Sequence, residues 1–112
     1  MTPDTQYSAY SMTKAAIDTF TVSLAAELGN RGITVNTLAP GLTATDMNAG
    51  MQEHPAVERA FSSMTALGRV GRVEDIADAV ALLASPDSGW VTGQYVEASG
   101  GLGLVMPGFG AN

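Results

Sequence analysis

Apolar side chains in the first quarter of the chain recur every three or four residues. From about Ala9 onward the recurring positions are Ala16, Ile17, Phe20, Leu24 and Leu28. This spacing places them on one face of a helix, so the pattern predicts a helix over residues 9–28. Gly29 is predicted to end that helix in the left-handed conformation, before the polar turn of residues 30–32.

A shorter pattern follows the turn. The run from Ile33 to Leu38 is rich in β-branched residues, and Ala39-Pro40-Gly41 comes directly after it. Such a run predicts a strand that leads into a loop. Residues 42–54 are polar and small, show no sustained periodicity and are interpreted as a loop.

The second half of the chain repeats this alternation. Pro55 suits a first helical position, and an amphipathic stripe of Val57, Ala60, Phe61 and Met64 predicts a short helix over residues 56–64. Another helix is predicted to start at the acidic pair Glu74-Asp75 and to end before Ser85-Pro86. Its predicted buried stripe is Ile76, Ala79, Val80 and Leu83. A strand is predicted over residues 94–98 and a glycine-rich tail over residues 99–112.

Alternating helices and strands predict an α/β fold with parallel strands joined by helical crossovers. Only two strands are predicted, whereas parallel sheets normally contain more strands that are covered on both faces. The pattern therefore indicates part of a larger doubly wound sheet, or a protomer that completes its sheet with another chain.

Composition removes several classes of protein. The 112 residues carry a formal charge of −6, and 46% of them are apolar, which is too high for a disordered tail. The charge is spread evenly, so we expect no nucleic-acid partner. Without cysteine and with a single histidine, we expect no disulfide framework and no metal site. We find no membrane span and no signal peptide, and we expect a soluble, cytoplasmic protein.

The sharpest chemical feature is Tyr10-Ser11-Met12-Thr13-Lys14. Tyrosine and lysine four residues apart on a helix share a face, with Cβ atoms about 5–6 Å apart. A neighbouring ammonium favours the phenolate form of a phenol and brings its pKa down toward neutrality. A tyrosine in this setting can exchange a proton with a carbonyl or alcohol oxygen. An ordinary surface pair is the alternative interpretation.

The wider context of this pair resembles a known family. Tyr10-x-x-x-Lys14 is followed in order by further segments, which are RGITVN from residue 31, PGLTATDM from residue 40, GR at 68 with EDIA from 74, VTGQ from 91 and GG at 100. Together they resemble the short-chain dehydrogenase/reductase family, in particular its 3-oxoacyl-carrier-protein-reductase-like members. The resemblance runs from about residue 7 to residue 103 and implies the C-terminal part of a doubly wound, Rossmann-like parallel sheet.

The resemblance implies a reaction and two catalytic residues. Members of the family transfer a hydride between NAD or NADP and a small carbonyl or alcohol substrate. Tyr10 would act as the general acid/base. Lys14 would lower the pKa of the tyrosine and hold the nicotinamide ribose hydroxyls, so both residues are also expected to contact the cofactor.

The resemblance also implies cofactor contacts after the first strand. Pro40 and Gly41 would line the nicotinamide pocket, the main chain of Thr43 would bind the carboxamide, and Thr45 would contact the cofactor near its phosphates. Residues 46–66 correspond to the variable substrate-binding region. The substrate and the choice between NAD and NADP stay open.

Some features of the family are not found in this sequence. Members are about twice as long, and the glycine-rich phosphate turn and the catalytic serine would both precede Met1. The tail Gly101-Leu102-Gly103 lacks the third glycine of a phosphate loop and is followed by Pro107. We therefore expect residues 1–112 to form a single partial Rossmann-like domain that binds little NAD(P) alone, lacks activity alone and forms a homodimer or homotetramer. The alternative is an inactive, truncated homo-oligomeric structural or interaction protein.

A few other side chains have two possible roles. His54 is a candidate substrate contact or a solvated loop or helix-cap residue. Met47, Met51 and Met64 would line an apolar substrate pocket or pack on the sheet. Trp90 is expected in the core or at an interface, since nothing titratable stands beside it in the sequence.

Overall fold

The computed structural model describes residues 3–43 and 54–105 and has the expected α/β architecture. The helices are α1 (Pro3–Leu28), α2 (Pro55–Ser62) and α3 (Val73–Ala84), and the strands are β1 (Thr37–Pro40) and β2 (Tyr95–Ala98). Short 3₁₀ turns follow α1 and α3, at Gly29–Arg31 and Pro86–Ser88. None of the helices in the described part of the chain is long and apolar enough to cross a membrane.

The two strands form a two-stranded parallel sheet. The N–H of Thr37 donates to the carbonyl of Gln94 at 2.8 Å, and the N–H of Gly41 donates to the carbonyl of Ala98 at 3.2 Å. Both strands advance together between these bonds, which is the register of parallel strands. The chain divides into a first unit, Met1–Thr37 with Leu83–Val96, and a second unit, Leu38–Leu82 with Glu97–Asn112.

The start of α1 and its terminating glycine differ from the prediction, whereas its last residue, Leu28, is the predicted one. The helix begins at Pro3 rather than near Ala9, because proline is well tolerated in a first turn and no glycine or proline interrupts the following residues. The prediction that Gly29 ends the helix in the left-handed conformation is wrong. Gly29 lies in the 3₁₀ turn, and Gly32 takes the left-handed conformation at φ +74°, with its N–H donating to the carbonyl of Gly29.

In the first unit, α1 packs through small side chains. Among residues 8–28 of this helix, Thr21 and Ala25 are buried. The Thr21 hydroxyl bonds the hydroxyl of Thr37 on β1, and the Ala25 methyl lies close to the backbone of Gly93. Phe20 is 66% exposed. The helix therefore meets the segments around both strands through a narrow face, and its largest apolar side chain lies outside that face.

The first strand is displaced from the predicted range of residues 33–38. Residues 33–36 form no strand because most of their bonds to residues 91–94 involve side chains, although the Val35 carbonyl accepts from the N–H of Gly93 at 2.7 Å. The N–H of Val35 donates to the hydroxyl of Thr92, and the Asn36 side chain bonds the carbonyl of Val91 and the N–H of Gln94. Pairing with β2 begins only at Thr37. Pro40, which was expected to lie beyond the strand, is its last residue.

In the second unit, α2 ends at Ser62, two residues before the predicted end. A tight turn built on Thr65 follows it. Thr65 is 3% exposed, and its hydroxyl accepts hydrogen bonds from the N–H groups of Gly68 and Arg69. The predicted loop over residues 42–54 lies almost entirely outside the described residues, which resume at residue 54.

The glycine-rich tail is paired with this turn rather than left as an open loop. The carbonyls of Gly100 and Gly101 accept from Leu67 and Ala66, and the N–H of Gly103 donates to the carbonyl of Met64. A phosphate loop directs backbone N–H groups at its ligand, but here the N–H of Gly103 is bonded to Met64 and the N–H of Leu102 to the Ser99 hydroxyl. Their use here supports the interpretation of residues 99–105 as a structural segment.

The last helix, α3, ends before Ser85-Pro86 as predicted. Its predicted buried stripe is wrong at Val80, which is 52% exposed, while Ile76, Ala79 and Leu83 are half-buried. The buried apolar residues in the described part of the chain are Ala25 and Val70. The polar residues Thr21, Thr43, Thr65 and Ser88 are equally buried, and the hydroxyls of Thr21, Thr65 and Ser88 are hydrogen-bonded.

Candidate active site

Tyr10 and Lys14 both lie on α1, one helical turn apart. Helix geometry stacks side chains four residues apart on the same face. Tyr10 is 61% exposed, and Lys14 is also exposed. The phenol is thus accessible to a second molecule, with the only lysine of the chain beside it on the same helix.

Lys14 has a partner that the sequence did not indicate. Its Nζ atom lies 4.9 Å from the centroid of the Tyr95 ring, within the first unit. An ammonium within about 6 Å of a ring centroid is attracted by the negative face of the ring. Tyr95 is the first residue of β2 and is far from Lys14 in the sequence, so no spacing rule could have predicted this contact.

Asp18 lies one turn beyond Lys14 on α1. Its Oδ1 atom is buried and has no hydrogen-bond partner in the described part of the chain. Within the described ranges the structure shows an ion pair between Arg69 and Asp75 and none between Asp18 and Lys14. The ammonium of Lys14 therefore lies on the Tyr95 ring and not beside the Asp18 carboxylate.

Pro40 and Gly41 lie where β1 ends, and Gly41 approaches β2 closely. A Cβ atom at Gly41 would lie 2.5 Å from Cβ and 2.8 Å from Cα of Ser99, both shorter than real contacts. Glycine at this position is therefore required by packing against the end of β2. Ser99 itself is held by its hydroxyl, which accepts from the N–H of Leu102.

Thr43 is buried and lies in the second unit beside the segment that leads into α3. It forms an isolated parallel bridge with Gly71, whose N–H donates to the carbonyl of Leu42 at 2.9 Å. The backbone that follows Gly41 is thus fixed by a second contact. Thr45, the last predicted cofactor contact, lies outside the described residues, as do Met47 and Met51.

An ion pair braces the segment that carries Gly71. The Arg69 guanidinium donates two hydrogen bonds to Asp75, at 2.7 and 3.1 Å, and the N–H of Arg72 donates to the same carboxylate at 2.8 Å. The bonds from Arg69, followed by the backbone bond from Arg72, hold the pKa of the Asp75 carboxyl well below its ordinary value. The bond to Asp75 in turn raises the pKa of Arg69.

A small cavity of about 210 Å³ lies among these segments of the second unit. Its lining comes from residues 42–43, from parts of residues 67–76 and from residues 97–100, and it includes Arg69, Asp75 and Glu97. Charged side chains that are already paired line part of it. In the described part of the chain, no three histidine, aspartate or glutamate side chains gather as ligands for a metal ion.

The structure gives positions to His54 and Trp90, for each of which the sequence allowed two roles. His54 immediately precedes α2, and its carbonyl accepts hydrogen bonds from Val57 and Glu58, as expected for a residue at a helix start. Trp90 is 99% exposed, so it does not lie in a core of the described residues, and the alternative of an interface position stays a prediction. It follows the 3₁₀ turn at Pro86–Ser88, where the backbone N–H groups bond within the turn and leave the side chain in solvent.

Comparison with known proteins decides the family. A family model described as enoyl-(acyl carrier protein) reductase matches residues 3–103. The chain belongs to the short-chain dehydrogenase/reductase family. Among curated members of that family, dehydrogenase OXI1 of Cochliobolus heterostrophus is 46% identical over 100 residues, which are 86% of this chain and 43% of that protein. The (3R)-3-hydroxyacyl-CoA dehydrogenase of Mus musculus is 46% identical over 93 residues, which are 83% of this chain and 35% of that protein.

Solved structures of short-chain dehydrogenases/reductases share the fold. The promiscuous reductase LugOII, which catalyses a keto-reduction in lugdunomycin biosynthesis, superimposes with a TM-score of 0.73 at 40% identity, covering 87% of this chain and 37% of that one. The angucycline C-6 ketoreductase LanV with bound NADP superimposes with a TM-score of 0.70 at 41% identity, covering 86% of this chain and 37% of that one. A 3-oxoacyl-[acyl-carrier protein] reductase with bound NAD from Brucella melitensis superimposes with a TM-score of 0.68 at 41% identity, covering 86% of this chain and 34% of that one. The chain thus spans between 34% and 43% of the length of these relatives.

Proposed function

We propose that this chain supplies the proton-transfer end of an NAD(P)-dependent oxidoreductase that interconverts a small carbonyl compound and its alcohol. The observation that carries the proposal is the exposed Tyr10 phenol one helical turn from the single lysine of a short-chain dehydrogenase/reductase. The related structures with bound NADP and NAD support a nicotinamide cofactor of either kind.

The chemistry of the donor groups suits the nicotinamide and ribose end of such a cofactor. Lys14 offers three N–H donors to ribose hydroxyls, and Tyr10 offers one O–H group beside them. A bound nicotinamide supplies or accepts the hydride. In the reducing direction, Tyr10 donates its phenolic proton to the carbonyl oxygen of the substrate, and in the oxidising direction the phenolate accepts the proton of the alcohol. The Lys14 ammonium stabilises that phenolate.

The proposed contacts after β1 are those that the resemblance to the family implies. Pro40 and Gly41 would border the nicotinamide, the main chain of Thr43 would bind its carboxamide, and Thr45 would lie near its phosphates. Residues 46–66 would contact the substrate. The fixed backbone of residues 41–43 supports this assignment, because a loop that contacts a cofactor works best when it is already in place.

The proposal is tested with two nucleotide fragments. Nicotinamide mononucleotide carries the ribose and nicotinamide end, and adenosine monophosphate carries neither. We expect the first to shift the NMR signals of Tyr10 and Lys14 and the second to leave them unchanged. We also expect calorimetry with NADH and NADPH to give only weak binding, since the described residues offer groups for one end of the cofactor. Equal effects of the two fragments would contradict the proposal.

Turnover is tested with acetoacetyl-CoA and NADPH, a pair chosen because relatives are named as reductases of 3-oxoacyl and dehydrogenases of 3-hydroxyacyl compounds. We expect Tyr10→Phe to lower any observed rate by about 10²–10⁴-fold, because it removes the proton that the substrate oxygen receives. Tyr7→Phe, on the same helix without a lysine four residues later, is the matched control. Unchanged turnover in Tyr10→Phe would reject Tyr10 as the proton donor.

A second candidate function is an interaction protein that self-associates without chemistry. The large exposed apolar side chains of the first unit favour it, including Met12, Phe20 and Trp90. A homodimer or homotetramer of cytoplasmic location belongs to either proposal. The two are separated by the fragment titration, because a purely structural protein has no reason to prefer the nicotinamide fragment.

A further inference from the structure

Lys14 and Tyr95 form a contact that the proposed reaction does not require. The Nζ atom of Lys14 lies over the Tyr95 ring at 4.9 Å from its centroid. The two residues come from different elements, α1 and β2, and both belong to the first unit. Because Lys14 is exposed, this position of its ammonium is not imposed by burial.

We propose that Tyr95 is a positioning residue for Lys14, which it holds by attraction between the ring face and the ammonium. The inference rests on the proposed function, in which Lys14 acts beside the Tyr10 phenol. A free lysine side chain samples many rotamers, and ordering it opposes binding. A ring that already holds the ammonium removes part of that cost before the cofactor arrives.

Tyr95 is suited to this task because its own backbone is fixed. It is half-buried at the first position of β2. The preceding residue, Gln94, accepts a hydrogen bond from the N–H of Thr37 and donates its own N–H to the side chain of Asn36. The ring is therefore carried by a paired strand, whereas the lysine that it meets projects from an exposed helix face.

The acidic group that could compete for Lys14 is Asp18, one turn along the same helix. Lysine four residues before an acidic residue is the weaker of the two helical orders for an ion pair. The structure contains no ion pair between them, and Oδ1 of Asp18 stays without a hydrogen-bond partner in the described residues. The ring is thus the group that sets the direction of the ammonium.

The test is an NMR experiment on the full 112-residue chain. Isotope-labelled lysine gives one set of side-chain signals, since the chain has a single lysine. We expect nuclear Overhauser contacts between the ε-protons of Lys14 and the ring protons of Tyr95. We also expect those ε-protons to be shifted upfield by the ring current. Tyr95→Phe keeps the ring face and should preserve the shift, whereas Tyr95→Leu should abolish it.

Two controls bound the result. Trp90→Leu removes an almost fully exposed aromatic ring of the same unit and should leave the Lys14 signals unchanged. Asp18→Asn should do the same, and loss of the shift in that variant would transfer the role from Tyr95 to Asp18. Absence of the contact in the unmodified chain overturns the inference even if Tyr95→Leu fails to fold.

The functional consequence is measured with nicotinamide mononucleotide. Tyr95→Leu should raise the concentration of nicotinamide mononucleotide at half-saturation by about two- to fivefold, the range expected for an exposed cation–π contact. Tyr95→Phe should keep that concentration at the value of the unmodified chain. Equal weakening in both variants would contradict a role for the ring face. If the fragment does not bind the unmodified chain while the Overhauser contact is present, the proposed function fails and the positioning contact stands.

Discussion

The Arg69 guanidinium and the Asp75 carboxylate face each other through two parallel hydrogen bonds of 2.7 and 3.1 Å. Asp75 also accepts the N–H of Arg72, the residue before α3, in the arrangement by which a third helical residue caps a helix start. One carboxylate thus joins the start of α3 to the turn that precedes it. That turn carries Gly71, which holds the carbonyl of Leu42 in place.

Acid should weaken this arrangement. The hydrogen bonds lower the pKa of Asp75 below its ordinary value of 3.8. A lowered pKa in the folded state stabilises the fold at pH values above the ordinary pKa and loses that effect as the pH falls through and below it. We expect the urea concentration at the midpoint of unfolding to decrease at pH values below about 4. We expect Asp75→Asn to make this decrease smaller. Asp78→Asn, on the same helix without a paired arginine, is the control that should retain the drop.

Gly41 should not tolerate a side chain. Alanine would place Cβ 2.5 Å from Cβ of Ser99, so the backbone of one segment must move. We expect Gly41→Ala to lower the free energy of unfolding by roughly 1–3 kcal/mol, the usual cost of overpacking. Gly29→Ala, where a Cβ meets nothing within 4 Å, is the matched control. If both variants unfold at the same urea concentration, the close approach to Ser99 is incorrect.

The Thr65 hydroxyl should contribute strongly to the turn after α2. It accepts from the N–H groups of Gly68 and Arg69 and lies within hydrogen-bonding distance of the carbonyl of Ser62. Thr65→Val keeps the shape of this buried side chain but removes the acceptor of the Arg69 N–H, while Gly68 and Ser62 keep backbone partners, so we expect a loss of about 1 kcal/mol of unfolding free energy. Thr13→Val removes an exposed hydroxyl on α1 and should change the stability by less than about 0.5 kcal/mol. Similar losses in the two variants would contradict this role.

Self-association should depend on the exposed face of α1. Phe20 is 66% exposed beside an apolar cavity of about 530 Å³ between α1 and residues 35–37. Burying such a ring contributes roughly 1.5–3 kcal/mol, so Phe20→Glu should weaken dimerisation about tenfold or more. Sedimentation velocity measures this change, and Leu82→Glu, which alters an equally exposed residue on α3, is the comparison. A well-folded monomer of the unmodified chain at micromolar concentrations would exclude the predicted oligomer.

Much of the local structure could be predicted from the sequence because its signals are local. The 3.6-residue periodicity, Pro55 and Ser85-Pro86 indicated the three helices found in residues 3–43 and 54–105, and α/β alternation indicated parallel strands. The error at the start of β1 occurred where side-chain bonds replaced most of the backbone pairing. Val35 and Asn36 lie in a β-branched run, yet their bonds to Thr92, Val91 and Gln94 delay β1 until Thr37, and no pattern within the run contains that information.

By itself, the sequence determined the order of helices and strands, the family, and the placement of Tyr10 and Lys14 on one helical face, because these depend on spacing within one segment. The tertiary structure decided that the Lys14 ammonium lies on the Tyr95 ring, that Gly41 has no room for a side chain beside Ser99, and that Trp90 lies in solvent. Two of these facts are contacts between residues far apart in the chain, and the third is a lack of burial. All three depend on how the folded backbone places each side chain, which spacing along the sequence does not specify.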